Sequence, residues 1–173
     1  KKFENSRHNL GFKVIDAIKE SYNFPSYKKK FMGCLSVKKI FNTKIFLLKP
    51  HTYMNLSGNS VENIVNFHQI ATENIIVFHD DIDMEFKKIR VKRNGGHGGH
   101  NGIRNIISRI GKEFYRIKIG IKDEEINIDM KDFVLKKFST SQNVEITNII
   151  GKIAENFESV VKKDFISFNN RIV

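Results

Sequence analysis

Residues 75–83 read IIVFHDDID, a short apolar run that passes directly into histidine and aspartate. An uninterrupted apolar run of this length is typical of a strand buried on both faces of a sheet. Apolar residues at helical spacing predict helices at 8–19 and 57–67, and alternation predicts a strand at 115–121. Because strands and helices interleave, we expect an α/β fold with helices on both faces of a mixed sheet.

Three further elements follow from the same patterns. Residues 31–48 resemble a hairpin, with one strand on each side of a polar turn. Helical spacing continues at 101–110 and at 143–161, where it predicts one long amphipathic helix. Ser57 is a predicted N-cap of the second helix, since serine oxygen accepts backbone N–H groups there.

Composition and charge limit the class of protein. The 173 residues suit one compact domain, and the formal charge of +11 favours a polyanionic partner, RNA or DNA. A general enrichment in Lys, Ile and Asn would also produce that charge. The single cysteine, Cys34, cannot form an internal disulfide, and no secretory signal or membrane-spanning run is visible. We therefore expect a cytoplasmic protein with no membrane contact.

Two polar segments carry residues suited to chemistry. The acidic end of residues 79–83 could orient a histidine or hold a metal, and it could equally be a turn that caps the next element. Residues 95–102 place four glycines around His97, which permits close backbone approach to a ligand. Asn101 then opens a helix whose N–H groups could face an anion. Neither a P-loop nor a dinucleotide fingerprint is present.

Common hydrolase arrangements are poorly matched. A metal site could use His79, His97, His100 and the neighbouring aspartates, but the sequence has no His-Glu-x-x-His or two-cysteine pattern. We therefore expect no metal and no cofactor. A Gly-x-Ser-x-Gly elbow is also absent, and Cys34 falls inside a predicted strand. A hydrolase built on these residues would need a histidine that activates water directly. His8 at the start of a helix fits that role, although a histidine there is more often a cap or a surface residue.

Six motifs in this order resemble the bacterial peptidyl-tRNA hydrolase family. They are Ser6-Arg7-His8-Asn9-x-Gly11, Lys49-Pro50-His51-Thr52-Tyr53-Met54-Asn55-x-Ser57-Gly58, the acidic residues 79–83, Gly96-His97-Gly98-Gly99-His100-Asn101-Gly102, Arg116-x-x-x-Gly120-Ile121 and Phe133-Val134-Leu135. The resemblance covers nearly the whole chain, 1–173. It implies a single-domain three-layer α/β/α sandwich with a mixed, twisted sheet, and a monomeric enzyme. Such an enzyme cuts the ester between peptide and tRNA and so recycles tRNA.

The resemblance also assigns roles to individual residues. It places the general base at His8 and the carboxylate that orients it at Asp80. It places substrate-holding amides at Asn55 and Asn101, and it sets Tyr53 against the terminal adenosine or its ester.

Three further residues correspond to tRNA-binding positions of the family. Phe3 stands where a tyrosine is usual, so it keeps an aromatic ring for stacking and lacks the hydroxyl group. Lys92 and Lys118 match a basic pair that clamps a terminal tRNA phosphate. The partner implied is the tRNA acceptor end of peptidyl-tRNA, with no protein partner.

Two departures from the family pattern accompany the resemblance. The strand and Gly-Asn-Pro-Gly-like turn that precede the Arg-His-Asn motif are missing, so we expect truncation by roughly ten residues. Residues 120–124 read GIKDE instead of the family's Gly-Ile-Gly-Arg/His-Pro, so the loop that follows is expected to differ in shape. Two competing hypotheses are a non-catalytic RNA-binding domain and the metal-dependent hydrolase described above.

Overall fold

The computed structural model describes residues 6–122 and 129–172. Within them the strands are β1 (Lys28–Lys30), β2 (Gly33–Ile40), β3 (Thr43–Pro50), β4 (Ile76–Glu85), β5 (Ile89–Arg93) and β6 (Tyr115–Lys122). The helices are α1 (Leu10–Ser21), α2 (Ser57–His68), α3 (Asn101–Ile110), α4 (Met130–Leu135), α5 (Thr140–Glu155), α6 (Phe157–Val161) and α7 (Phe165–Ile172). Short 3-10 helices lie at Arg7–Asn9, Met54–Leu56 and Thr72–Asn74. The strands pair in the orders β1-β2-β3 and β4-β6-β5.

The chain divides into two compact units. The first comprises the described residues of Lys1–Ser21, Phe78–Val91 and Ile117–Val173. The second comprises Tyr22–Val77 and Lys92–Arg116.

In the first unit, α1 packs against α5 and against β4. Leu10, Val14 and Ile18 of α1 are fully buried, as their spacing of four residues predicts for one helix face. Gly11 lies so close to β4 that a Cβ atom there would stand 2.1 Å from the carbonyl oxygen of Phe78. The absence of a side chain at Gly11 therefore permits the start of α1 to contact the strand.

The long helix predicted at 143–161 is interrupted, so that prediction is wrong in this detail. Helix α5 ends at Glu155 and α6 begins at Phe157. Asn156 between them has φ −100 and ψ 18, outside the helical region, and its side-chain amide donates to the Lys152 carbonyl oxygen at 2.9 Å. This local hydrogen bond competes with continuation of the helix.

The second unit contains the predicted hairpin, which is confirmed as the antiparallel pair β2–β3, with β1 added antiparallel to β2. Its core is formed by α2, α3 and their neighbours, with Val61, Ile103, Ile106 and Phe114 buried. Ser57 is not an N-cap as predicted, because α2 begins at Ser57 itself and its hydroxyl donates to the Met54 carbonyl oxygen at 2.8 Å.

Candidate active site

His8 and Asp80 contact each other within the first unit. The Nδ1 atom of His8 lies 3.0 Å from both Oδ1 and Oδ2 of Asp80, although the residues are 72 positions apart. The Asp80 side chain is 3% exposed and that of His8 14%. A carboxylate can only accept a hydrogen bond, so it holds the imidazole proton on Nδ1 and leaves the lone pair on Nε2. This tautomer is the one that a general base requires.

Arg7 fixes the segment that carries His8. Its backbone N–H donates to the Lys136 carbonyl oxygen at 2.9 Å, and its guanidinium donates to Gln142 Oε1 at 3.2 Å. The guanidinium carbon also stands 4.3 Å from the ring centroid of Phe133, and Arg7 is buried. With these contacts the turn that begins α1 has little freedom to move His8 away from Asp80.

Lys118 and Asp81 form an ion pair beside Asp80. Their side chains are 16% and 9% exposed, and the ammonium group contacts Oδ2 of Asp81. Burial alone would raise the pKa of Asp81. The hydrogen bond from Lys118, the hydrogen bond from the Asp83 N–H group and the charge of Lys118 together hold that pKa below its ordinary value. Asp81 is therefore a fixed negative charge on β4, at the position after Asp80.

In the second unit, Asn55 and Asn101 lie on adjoining elements. Asn55 belongs to the 3-10 helix Met54–Leu56, which packs against α3 where Asn101 is the first residue. A Cβ atom on Gly102 would stand 2.7 Å from the Met54 sulfur, so glycine permits this close packing. Both asparagines are exposed, and Tyr53 is 82% exposed. Neither asparagine side chain is hydrogen-bonded to another residue in 6–122 or 129–172.

The start of α3 differs from the prediction of open N–H groups. His100 is the N-cap, and its Nδ1 accepts hydrogen bonds from Gly102 N at 3.1 Å and Ile103 N at 3.2 Å. Two of the helix's first N–H groups are therefore satisfied within the protein. Histidine is not a preferred cap residue, so the sequence offered little signal for this arrangement.

Arg116 holds the beginning of the glycine-rich loop, a role that no pattern in the sequence indicates. It is 2% exposed, its Nη1 donates to the Gly96 carbonyl oxygen at 2.8 Å, and its Nη2 donates to the Asn94 carbonyl oxygen. Gly98 and Gly99 follow with φ of 55 and 74, values that glycine adopts most readily. A buried cation near the start of β6 thus supports this loop.

Each of the remaining predicted residues is described within its own unit. Lys92 is exposed in the second unit, and Lys118 is paired with Asp81 in the first. Phe3 lies outside the described residues, as do residues 123–128 of the loop that was expected to differ from the family.

In each histidine of the alternative metal site, Nδ1 forms a hydrogen bond with a backbone group. His79 Nδ1 donates to the Asp80 carbonyl oxygen at 2.6 Å. His97 Nδ1 accepts from Gly99 N at 3.1 Å, and His100 Nδ1 caps α3. These contacts give His97 and His100 structural roles in the turn and the helix start.

The whole chain, residues 1–173, matches the sequence profile described as peptidyl-tRNA hydrolase. The chain belongs to the peptidyl-tRNA hydrolase family. It is 42% identical to the peptidyl-tRNA hydrolase of Clostridium botulinum (strain Eklund 17B / Type B) over 171 residues, covering 98% of this chain and 88% of that protein. It is 40% identical to that of Rickettsia canadensis (strain McKiel) over 173 residues, covering 99% and 94%.

Solved peptidyl-tRNA hydrolases have the same fold. A crystal structure of the enzyme from Acinetobacter baumannii superposes with a TM-score of 0.91 at 34% identity, covering 99% of this chain and 88% of that one. The predictions of an α/β fold class, of this family and of a hydrolase are therefore confirmed.

The helices of the described residues do not meet the requirements for crossing a membrane. None of the helices there combines the length and the apolar character needed to cross a bilayer.

Proposed function

We propose that this chain hydrolyses the ester between the peptide and the ribose of peptidyl-tRNA, with His8 as general base and without a metal. The observation that carries the proposal is the bond from His8 Nδ1 to the buried Asp80 carboxylate, in a chain of the peptidyl-tRNA hydrolase family. The formal charge of +11 suits a polyanionic substrate such as tRNA.

The proton moves in two steps. In the first, Nε2 of neutral His8 takes a proton from water as the water oxygen attacks the ester carbonyl carbon. Asp80 stabilises the imidazolium that forms, through the proton on Nδ1. In the second, the tetrahedral intermediate collapses, the bond to the ribose oxygen breaks, and that oxygen takes the proton back from Nε2. The products are a peptide with a free carboxyl group and a tRNA with a free hydroxyl group, and His8 is regenerated.

Asn55 and Asn101 have side chains suited to hold the substrate. An amide can accept from water and can donate to the oxyanion that develops during attack. Because His100 caps α3, the amide of Asn101 is not needed to begin that helix. Their proposed roles, like that of the exposed Tyr53 against the terminal adenosine, come from the family resemblance.

Lys92 and Lys118 are proposed to contact phosphate oxygens of the tRNA, and Phe3 is proposed to stack on it. Lys92 is exposed and offers a mobile point charge. Lys118 already contacts Asp81, so a phosphate there would share or replace that ion pair. Contacts of this kind make affinity fall as salt rises.

The cellular role proposed is the recycling of tRNA from peptidyl-tRNA released by ribosomes. We further propose that the enzyme acts in the cytoplasm as a monomer and one domain, as the family resemblance implies.

The test is release of N-acetyl-amino acid from N-acetyl-aminoacyl-tRNA in the presence of a chelator. Cleavage that persists with the chelator supports a metal-free ester hydrolase. Binding of tRNA without cleavage would instead favour the RNA-binding hypothesis, and cleavage that disappears with the chelator would favour a metal.

A further inference from the structure

The sheet β1-β2-β3 carries an unusual concentration of positive charge. Residues 28–50 contain no aspartate or glutamate, and the nearest acidic residues in sequence are Glu20 and Glu62. Glu62 is itself paired with Arg109. The lysines of the segment are Lys28, Lys29, Lys30, Lys38, Lys39, Lys44 and Lys49. None of them belongs to the predicted active site.

The arrangement of these lysines costs stability. Lys39 on β2 lies directly opposite Lys44 on β3, and both are exposed. Like charges directly opposite each other destabilise an antiparallel pair. Lysines on edge strands discourage pairing with other chains, and this accounts for those of β1 and β3 and also for Lys39, because β1 pairs with β2 only at residues 33–35. Edge protection does not require Lys39 and Lys44 to face each other, so the concentration of charge also fits an external polyanion.

Aromatic rings lie among these cations at the end of α2. Phe67 is 64% exposed, and its ring centroid lies 5.3 Å from that of Phe31 and 4.9 Å from that of His68. The His68 ring lies 4.5 Å from that of Phe46.

Two ammonium groups stand over these rings. Lys30 Nζ lies 4.7 Å from the Phe67 centroid, and Lys44 Nζ lies 5.2 Å from that of Phe46. We call Lys30, Phe31, Lys44, Phe46, Phe67 and His68 the basic-aromatic patch.

The lysines give the patch positive charge, and the turn that carries Phe31 has an uncommon backbone conformation. Desolvation, followed by the charges of Lys44 and Lys30, holds the pKa of His68 below its ordinary value. Phe31 and Met32 occupy the β1–β2 turn with φ of 53 and 55, where bulky residues are rare. A turn of this kind normally favours Asn-Gly, so its aromatic residue is not explained by backbone preference.

We propose that the basic-aromatic patch binds RNA, with lysine ammonium groups on phosphates and an unpaired base stacked on Phe67. Exposed rings interleaved with cations are the usual platform for unpaired nucleotides. Lysine is depleted in protein–protein interfaces, so a protein partner fits the patch less well. The proposal rests on the proposed function for the source of the RNA, which is a part of the tRNA other than its aminoacylated end.

The experiment compares two substrates of different size. They are full-length N-acetyl-aminoacyl-tRNA and the same N-acetyl-aminoacyl group on a CCA trinucleotide. The double variant Lys30→Gln/Lys44→Gln should raise KM for the full tRNA about five- to ten-fold and lower the salt slope of log KM by about 1.5. Phe67→Leu should raise that KM about ten-fold. Neither change should alter kcat/KM for the trinucleotide.

A matched control removes two exposed lysines elsewhere. Lys112→Gln/Lys162→Gln makes the same change in net charge, and it should alter KM for the full tRNA less than two-fold. An equal effect of the control would show that only net charge matters, which overturns the proposal.

The affinity of each variant for uncharged tRNA, measured directly, distinguishes the remaining outcomes. Unchanged KM and unchanged tRNA binding in both patch variants would overturn the proposal. Equal loss of activity on both substrates would assign the patch a structural role instead. Binding to phosphatidylserine vesicles that depends on the patch, with tRNA binding unaffected, would make it a membrane surface. If wild type binds tRNA through the patch and cleaves neither substrate, the RNA site stands and the proposed function fails.

Discussion

Nδ1 of His8 lies 3.0 Å from each carboxylate oxygen of Asp80, and this contact joins the turn before α1 to strand β4. The same two elements meet again at Gly11 and the Phe78 carbonyl oxygen, two residues before Asp80 in the strand. The position of the histidine thus depends on how closely α1 packs on β4.

Asp80→Asn should lower kcat by about 10²–10⁴-fold with little change in KM. The asparagine NH₂ group can donate to Nδ1, which favours the tautomer with the proton on Nε2 and removes the basic lone pair. Steady-state kinetics on N-acetyl-aminoacyl-tRNA measure the effect. Asp83→Asn is the control, because Asp83 is exposed on the same strand and its variant should retain kcat. Equal kcat in wild type and Asp80→Asn would contradict the orienting role.

Gly11→Ala should destabilise the protein by about 2 kcal/mol or more, because its Cβ would collide with the Phe78 carbonyl oxygen. Urea unfolding gives the free energy. Gly151→Ala in α5 is the matched control, since nothing lies within 4 Å of a Cβ there. It should stabilise the helix by about 0.5–1 kcal/mol. Similar results for the two variants would argue against the close approach of α1 to β4.

Lys118→Gln should destabilise the protein in a pH-dependent way. The pKa of Asp81 is lowered in the folded state, so its contribution is fully present above the unfolded value of about 3.9 and is lost as pH falls through the folded value. The variant should therefore be less stable than wild type at about pH 7, and the difference should shrink below about pH 4. Urea unfolding across this range measures it, with exposed Lys122→Gln as control. A difference independent of pH would show that the ion pair is not its cause.

Asn101→Ala should lower kcat by about 10²–10³-fold, the range for loss of one oxyanion donor, and lower kcat/KM with it. The free energy of unfolding of this variant should change little, because His100 and not Asn101 caps α3. Asn148→Ala, also exposed on a helix, provides the control for loss of an amide. Activity equal to wild type, measured at substrate concentrations below KM, would remove Asn101 from the site.

Local patterns in the sequence predicted some elements well, while the longest helical pattern, at 143–161, is interrupted in the structure. Helix α3 begins at Asn101 and ends at Ile110, as the spacing of its apolar residues indicates. The break at Asn156 was not predicted, since no glycine or proline stands there. In the structure the side-chain amide of Asn156 donates to the Lys152 carbonyl oxygen, which no sequence pattern indicates.

The candidate site was predicted through the family resemblance more than through local pattern. No local rule pairs His8 with Asp80 across 72 positions, and their contact depends on the packing of α1 on β4. The Asp81–Lys118 pair and the support of the glycine loop by Arg116 were missed for the same reason. Each of these contacts joins segments that are distant in sequence and meet only in the folded chain. The periodicity of apolar residues therefore does not predict them.

The most direct test of the account is kcat of His8→Ala on N-acetyl-aminoacyl-tRNA with chelator present, alongside His51→Ala as an exposed histidine control. We expect kcat to fall by about 10²–10⁴-fold in His8→Ala, with tRNA still bound, and to be unchanged in His51→Ala. Equal kcat in His8→Ala and wild type would contradict the assignment of His8 as the base that activates water.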